Sequence, residues 1–225
     1  MASPKPKERR ALLAGATGLI GRALLPLLQQ GHAAPIEVLA RRAVAGLEGP
    51  AVRLHVVDFA RLPKKLPGVD DVFIALGTTI KVAGSQAAFR AVDLDAVVAV
   101  AAAARRAGAT RLAVVSALGA DRASGVFCNR VKGEMEDAVG RLGFKSVVLA
   151  RPSLLVGDRA ALGQPTRAGE VWMSRLVAPF GALVPAGIRP IDAAAVAAAL
   201  VAAVAEARPG VRILSSAEMQ RHAGR

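Results

Sequence analysis

Two groups of residues in this chain have the types and spacing for chemistry. The first is Gly15-Ala16-Thr17-Gly18-Leu19-Ile20-Gly21, set between the apolar run Ala11 to Ala14 and the helix-like segment Leu19 to Gln30. A strand, a glycine turn and a helix in that order suit a dinucleotide pyrophosphate. Small residues let the backbone approach the phosphates, and a helix N-terminus offers free N–H groups and the positive end of a dipole. Gly15, Thr17, Gly18, Leu19, Ile20 and Gly21 are the candidate cradle. The second group is Cys128 and Lys132, one helical turn apart and so on one face. A lysine and a helix N-terminus each lower a thiol pKa, so one reading of this pair is a reactive or redox-sensing thiolate.

Further positions bear on the dinucleotide. An NAD-preferring site carries an acid at the end of the second strand, about 20 residues past the glycines, to bond the ribose 2′-hydroxyl. Here Ala40 is followed by Arg41 and Arg42. Arginine at that place can pair with a 2′-phosphate, so NADP(H) is expected in preference to NAD(H). The alternative is a solvated arginine pair. Asp58 closes the third strand, where a side chain can accept a hydrogen bond from an adenine amino group or shape a turn. Gly77-Thr78-Thr79 closes the fourth, where a narrow backbone would pass beside the cofactor.

The elements that must position these residues can be read from apolar runs. Strands are predicted at Leu12–Ala14, Ile36–Ala40, Val52–Val57, Val72–Leu76, Leu112–Ser116, Val147–Ala150 and Val211–Leu214. Helices are predicted at Leu19–Gln30, Ser85–Ala107, Asn129–Leu142 and Ala193–Glu206, the last started by Asp192. Alternating strands and helices imply an α/β fold, a doubly wound open parallel sheet with helices on both faces. Ligands in such folds sit beyond the carboxyl ends of the strands, where strand order reverses. The chain of 225 residues reads as one domain, 11–225, after a polar tail, 1–10. Pro152 to Pro190, rich in proline and glycine and holding one amphipathic stretch (Val171 to Phe180), reads as a small lid or substrate-side segment.

Composition narrows the classes. Aromatic residues are few and tyrosine is absent, so alanine and valine must fill the core. A single cysteine excludes an internal disulfide and a multi-cysteine metal site. His32, His55 and His222 lack ligand spacing and read as surface or loop residues, so no metal site is expected. The formal net charge is +13, but the basic runs are scattered and no stacking aromatics accompany them, which argues against nucleic acid as a partner. No apolar run reaches the length of a membrane span. The basic N-terminus followed by Ala11 to Leu28 is better explained by the glycine turn than by a signal peptide, and a cytoplasmic location is expected.

Several stretches together resemble the atypical short-chain dehydrogenase/reductases, above all the Tat-interacting-protein-like branch and its bacterial relatives. They are the glycine turn, Ala75-Leu76-Gly77-Thr78-Thr79, Val114 to Asp121, Asn129-Arg130-Val131-Lys132-Gly133-Glu134 and Arg151-Pro152-Ser153. The resemblance covers roughly Ala11 to Leu214. It implies a Rossmann fold and NADP(H) binding, with Pro152 and Lys132 among the cofactor contacts. Family catalysis uses a serine after the fifth strand and a Tyr-x-x-x-Lys pair opening the next helix. Ser116 matches the serine and Lys132 the lysine, but Cys128 stands where the tyrosine belongs. Asp93 stands where many relatives carry an asparagine; it would orient Lys132 through water or face solvent.

In the family mechanism the tyrosine hydroxyl exchanges a proton with the substrate oxygen as hydride moves at the nicotinamide. A thiol is a weak hydrogen-bonding group on a shorter side chain and cannot simply replace it. The resemblance therefore implies a reductase-like protein of atypical chemistry on a small carbonyl substrate, with Ser116, Cys128 and Lys132 as candidate catalytic residues. The alternative is a catalytically impaired NADP(H)-binding sensor or scaffold that has lost the proton relay and reports to a protein partner. A weaker alternative is a nucleotide-sugar epimerase, against which the short lid region argues. Substrate, partner and oligomeric state are left open.

Overall fold

The computed structural model describes residues 9–156, 185 and 187–222. β1 (Arg10–Ala14) leads through the glycine turn into α1 (Leu19–Gly31). There follow β2 (Ala33–Ala40), β3 (Val52–Val56) and β4 (Asp71–Ile74). Two short helices, α2 (Ile80–Ala83) and α3 (Gln86–Arg90), and a π-helical segment (Ala91–Ala96) precede α4 (Val97–Arg106). Next come β5 (Arg111–Val115), α5 (Phe127–Gly140), β6 (Ser146–Arg151) and β7 (Leu155–Val156). The chain continues with β8 (Ile191–Asp192), α6 (Ala193–Glu206), β9 (Gly210–Ser215) and α7 (Ser216–Gln220).

Seven strands form one sheet in the order β3-β2-β1-β4-β5-β6-β9, and every neighbouring pair is parallel. This is the expected doubly wound architecture. Strand order reverses between β1 and β4, which places a crevice at their carboxyl ends. β7 and β8 make a separate small parallel ladder, pairing Leu155 with Ile191. Of the expected lid, Pro152 to Pro190, residues 157–184 and 186 lie outside the described residues, as does the whole stretch Val171 to Phe180.

The period-2 geometry of β1 sends its side chains to two separate cores. Ala11 and Leu13 pack with α1 and α6 on one face. Leu12 and Ala14 pack with α4 and α5 on the other. The short side chains of α6 (Ala193, Ala195, Ala197, Ala199 and Ala203 are all buried) let it lie close against α1 and the sheet. Its start agrees with the sequence reading: Asp192 Oδ1 accepts the Ala194 N–H at 2.7 Å.

Three element boundaries differ from expectation, each for a local reason. The single helix expected over Ser85–Ala107 is interrupted by the π-helical turn, which carries Asp93, Leu94 and Ala96 inward. The helix expected from Asn129 begins at Phe127, because Val126 is extended and the helical backbone starts straight after it. Cys128 therefore lies in its first turn. At the N-terminus, residues 1–8 are outside the described part, but Arg10 already opens β1 and Arg9 is anchored.

That anchor is Asp71, buried at the start of β4. Arg9 donates to it twice, at 2.8 and 2.6 Å, and His32 Nε2 lies 3.0 Å away. His32 is thus a packed partner of this carboxylate rather than a free surface histidine; His55 likewise pairs with the buried Glu37 on the neighbouring strand. Burial opposes ionisation of Asp71, but the hydrogen bonds from Arg9 and His32 and the charges of Arg9 and Arg111 outweigh it. The carboxyl is held below its usual range.

A carboxyl whose pKa is lower folded than unfolded adds stability above the unfolded value, near pH 4, and loses it as pH falls through the folded value. Asp71→Asn should cost about 2 kcal/mol at pH 7. It should also flatten the loss of stability below about pH 4. Urea unfolding of both proteins at pH 7 and pH 3 checks this; an unchanged difference at the two pH values would refute it.

Candidate functional site

The crevice is built from backbone that leaves no room for side chains. Gly15 sits at φ +94°, and a Cβ there would stand 2.5 Å from the Ala75 carbonyl oxygen at the end of β4. A Cβ on Gly21 would fall 2.0 Å from the Gly15 oxygen. Both glycines are thus demanded by packing of the chain on itself. Gly18 is not. Its φ of −79° suits any residue, and a Cβ would meet the Gly15 and Ala75 carbonyl oxygens at an ordinary 3.5 and 3.9 Å.

Gly18 is the N-cap of α1, no side chain caps that end, and no acid stands in the first turn. The helix therefore presents its N-terminal N–H groups and dipole uncompensated. A bare glycine there, with no steric reason inside the chain, fits the close approach of a pyrophosphate. Thr17 is exposed, while Leu19 and Ile20 turn into the core beside α6. The residues present fit a dinucleotide.

Arg41 and Arg42 follow directly on β2 and are exposed. Val57 N–H donates to Ala40 O at 2.8 Å, which brings the ends of β2 and β3, and hence Arg41 and Asp58, side by side. Asp58 Oδ1 accepts the Ala60 N–H at 2.9 Å, the turn-shaping role that was one of its two readings. Thr79 Oγ1 caps α2 by accepting the Val82 N–H at 3.2 Å. Pro152 is buried and its carbonyl accepts the Leu118 N–H at 2.9 Å, tying the ends of β5 and β6 together.

Beyond β5 lies the second half of the site. Lys132 Nζ stands 2.8 Å from Asp93 Oδ1, and both side chains are almost fully buried (8% and 2% exposed). The other Asp93 oxygen accepts the Thr78 N–H at 2.8 Å. The expectation that Asp93 acts through water or faces solvent is corrected: the π-helical turn carries it inward to a direct contact. Gly77 passes over the pair, where a Cβ would lie 3.4 Å from Asp93 Oδ1. Lys132 also donates to Val115 O at 3.4 Å. The next residue, Ser116, has a buried hydroxyl with no partner.

α5 is pressed close to this strand end. A Cβ on Gly133 would fall 2.1 Å from the Arg122 backbone nitrogen, so only glycine lets Lys132 reach its depth. Gly133 was read only as part of a motif; its steric role has no signature in local sequence. Cys128 is half-buried one turn before Lys132. Burial, then the Asp93 carboxylate, push its thiol pKa up, against a smaller lowering by its backbone hydrogen bond and Lys132. The thiolate reading is corrected: Asp93 already compensates the lysine charge that was to favour it. Among the described residues no cluster of three or more His, Cys, Asp or Glu could hold a metal, and no helix is long and apolar enough to cross a membrane.

Comparison with known proteins gives consistent results. Residues 15–142 match a family model described as NAD(P)H-binding. The chain is 34% identical to protein HTATIP2 of Rattus norvegicus over 80% of its own length and 73% of that protein's. It is 32% identical to protein FMP52, mitochondrial, of Eremothecium gossypii, over 93% and 95%. Among solved structures it resembles MoeE5 in complex with UDP-glucose and NAD, with a TM-score of 0.68 at 18% identity over 91% of this chain and 75% of that one. Several FMP52 relatives are named mitochondrial, which overturns the expectation of a cytoplasmic location.

Two outcomes follow from this geometry. Gly18→Ala should change folding stability by about 1 kcal/mol or less. It should weaken NADPH binding by about tenfold or more, or about 1.4 kcal/mol. Gly21→Ala should instead cost about 3 kcal/mol of stability. Thermal melts paired with NADPH fluorescence titration separate the two. Asp93→Leu leaves a buried ammonium without its partner and should cost about 3 kcal/mol or more, most of it recovered in Asp93→Leu/Lys132→Met. Denaturant unfolding of the three variants tests this; equal losses in the single and double variants would show that the pair is not the cause.

Proposed function

This chain belongs to the NAD(P)H-binding family, in its atypical short-chain dehydrogenase/reductase, Tat-interacting-protein-like branch, and we propose that it is an NADP(H)-using reductase of a small carbonyl compound. The observation that carries the reaction is the unpartnered, buried Ser116 hydroxyl at the end of β5, on the residue after Val115, whose carbonyl accepts from Lys132. A buried hydroxyl without a hydrogen bond is costly, and a substrate carbonyl oxygen would satisfy it. Arg41 and Arg42, exposed where an acid would select NAD, support the preference for the 2′-phosphate.

The bound dinucleotide supplies hydride chemistry. The chain's own residues do the rest. The glycine turn and the α1 N-terminus hold the pyrophosphate, and Ser116 orients the oxygen to be reduced. Lys132, held by Asp93, places a positive charge at the same strand end. A second reading, a cofactor-binding sensor with little turnover, is favoured by one specific feature. Cys128 stands in the tyrosine position, and its thiol holds its proton more tightly than a free thiol.

Titration with NADPH and NADH, followed by oxidation assays on a panel of carbonyl compounds, tests both. NADPH should bind at least about tenfold more tightly than NADH, and Arg41→Ala/Arg42→Ala should remove most of that ratio, about 1.4 kcal/mol. Turnover by the parent supports the reductase. A parent that binds NADPH but is inert, beside a Cys128→Tyr variant that gains turnover, supports the sensor. Failure to bind either dinucleotide sinks both readings.

A further inference from the structure

The amino-terminal edge of the sheet lies at the opposite end of the strands from the dinucleotide crevice. Neither the core nor the proposed reaction uses the positive charge gathered there. We infer that this edge is a docking surface for an anionic phospholipid bilayer. The inference stands apart from the reductase reading.

The geometry of the edge comes from a ladder of backbone hydrogen bonds. Asp70 N–H donates to Arg10 O at 2.9 Å, Thr110 N–H to Asp70 O at 3.0 Å, Lys145 N–H to Thr110 O at 2.9 Å and Gly210 N–H to Lys145 O at 3.0 Å. The starts of β1, β4, β5, β6 and β9 therefore stand in one row. At about 4.8 Å between neighbouring strands, Arg10 and Lys145 lie three spacings apart, roughly 14 Å. Arg106 ends α4 just before Thr110. Arg105 Nε donates to Gly143 O at 2.8 Å, which fastens that helix end to the turn before Lys145. Arg208, just before Gly210, continues the row.

The acids of this edge are already engaged. Asp71 is enclosed by Arg9, His32 and Arg111. Asp70 Oδ2 accepts the Arg10 N–H at 2.9 Å. Glu206 Oε2 is bound by both Arg208 and Arg212, each at 2.8 Å. Arg10, Arg106 and Lys145 are exposed, and their side chains have no ion pair or hydrogen bond among the described residues. Arg141, also exposed, comes no nearer than 3.9 Å to Asp137. A cation at a helix C-terminus is favourable in itself, which accounts for Arg106 and Arg141 taken singly. Arg10 and Lys145 stand at strand starts, where no helix dipole calls for them. The edge thus presents a row of unspent cations.

Two features favour a bilayer over a nucleic acid. Val211, paired with Val147 at the start of β9, is 54% exposed close to Pro209 and Arg208. An apolar side chain among cations suits the boundary between lipid headgroups and acyl chains. A platform for stacking bases is missing, since Phe144, in the turn before Lys145, is buried. Each lysine or arginine brought near an anionic leaflet adds to the attraction. Docking by this edge leaves the crevice, at the carboxyl ends of the same strands, open to solvent.

Co-sedimentation of the full chain with phosphatidylcholine vesicles, with and without about 30% phosphatidylserine, tests the inference. Binding to the anionic vesicles should be at least about tenfold tighter than to the neutral ones at about 0.05 M salt, and should be lost at about 0.5 M. Arg106→Glu/Lys145→Glu should weaken it by at least about tenfold. Arg22→Glu/Lys81→Glu makes the same charge change on exposed residues at the carboxyl-end side of the sheet and should weaken it by less than about threefold. Equal losses in the two variants would overturn the inference, because net charge rather than this edge would then be responsible. Equal binding to the two kinds of vesicle, or binding to neither, would overturn it as well. So would tighter binding to duplex DNA than to the anionic vesicles, lost in Arg106→Glu/Lys145→Glu, which would assign the edge to nucleic acid. Thermal melts check that the variants fold; if Arg106→Glu/Lys145→Glu does not, Arg106→Ala/Lys145→Ala takes its place, with a loss of at least about threefold expected and no loss overturning the inference.

Discussion

The close approach of two strand ends, β1 and β4, is the constraint from which the rest of the site follows. The turn after β1 runs so near the Ala75 carbonyl that a Cβ on Gly15 would stand 2.5 Å from it, and Gly21 is pressed as tightly on Gly15. This contact lies where the strand order reverses. It sets where α1 begins, and α1 packs in turn against α6. It also leads the chain after β4 into Gly77 and Thr78, whose N–H binds Asp93. The glycine turn and the segment that holds Asp93 are therefore joined through one packed contact.

A second constraint is electrostatic. Lys132 and Asp93 are both removed from water, and such a pair survives only when each partner compensates the other. Three backbone devices bring them together. The π-helical turn swings Asp93 inward, Gly133 lets α5 sink against the loop after β5, and Gly77 leaves the space above the pair open. The carboxylate has two effects. It anchors the ammonium, and it works against a thiolate at Cys128. Asp93 thus bears on both the cation and the thiol of the site.

Much of the fold is legible in the chain's own pattern. The seven sheet strands are marked by short apolar runs, and Asp192 marks the start of α6 at the residue that caps it. The two-residue strands β7 and β8 are too short to show a period, and the break between α3 and α4 leaves the apolar spacing of that helix almost unchanged. The glycine turn reads in the sequence as a ligand cradle, and in the structure its glycines do different work. Gly15 and Gly21 serve chain packing, whereas only Gly18 is left without a steric reason of its own. The expected cytoplasmic location fails for a different cause: composition and the lack of a long apolar run carry no information on an address that relatives named mitochondrial point to.

By itself the sequence determined the order of strands and helices, the parallel doubly wound sheet and the glycine turn between β1 and α1. Each of these depends on residues close together in the chain, where period and turn chemistry act directly. Tertiary structure alone decided the partner of Lys132, the isolation of the Ser116 hydroxyl and the direction in which the Cys128 thiol is pushed. Asp93, Ser116 and Lys132 come from three separate elements. Their charges and hydrogen bonds acquire values only when the sheet and its helices bring them together away from water.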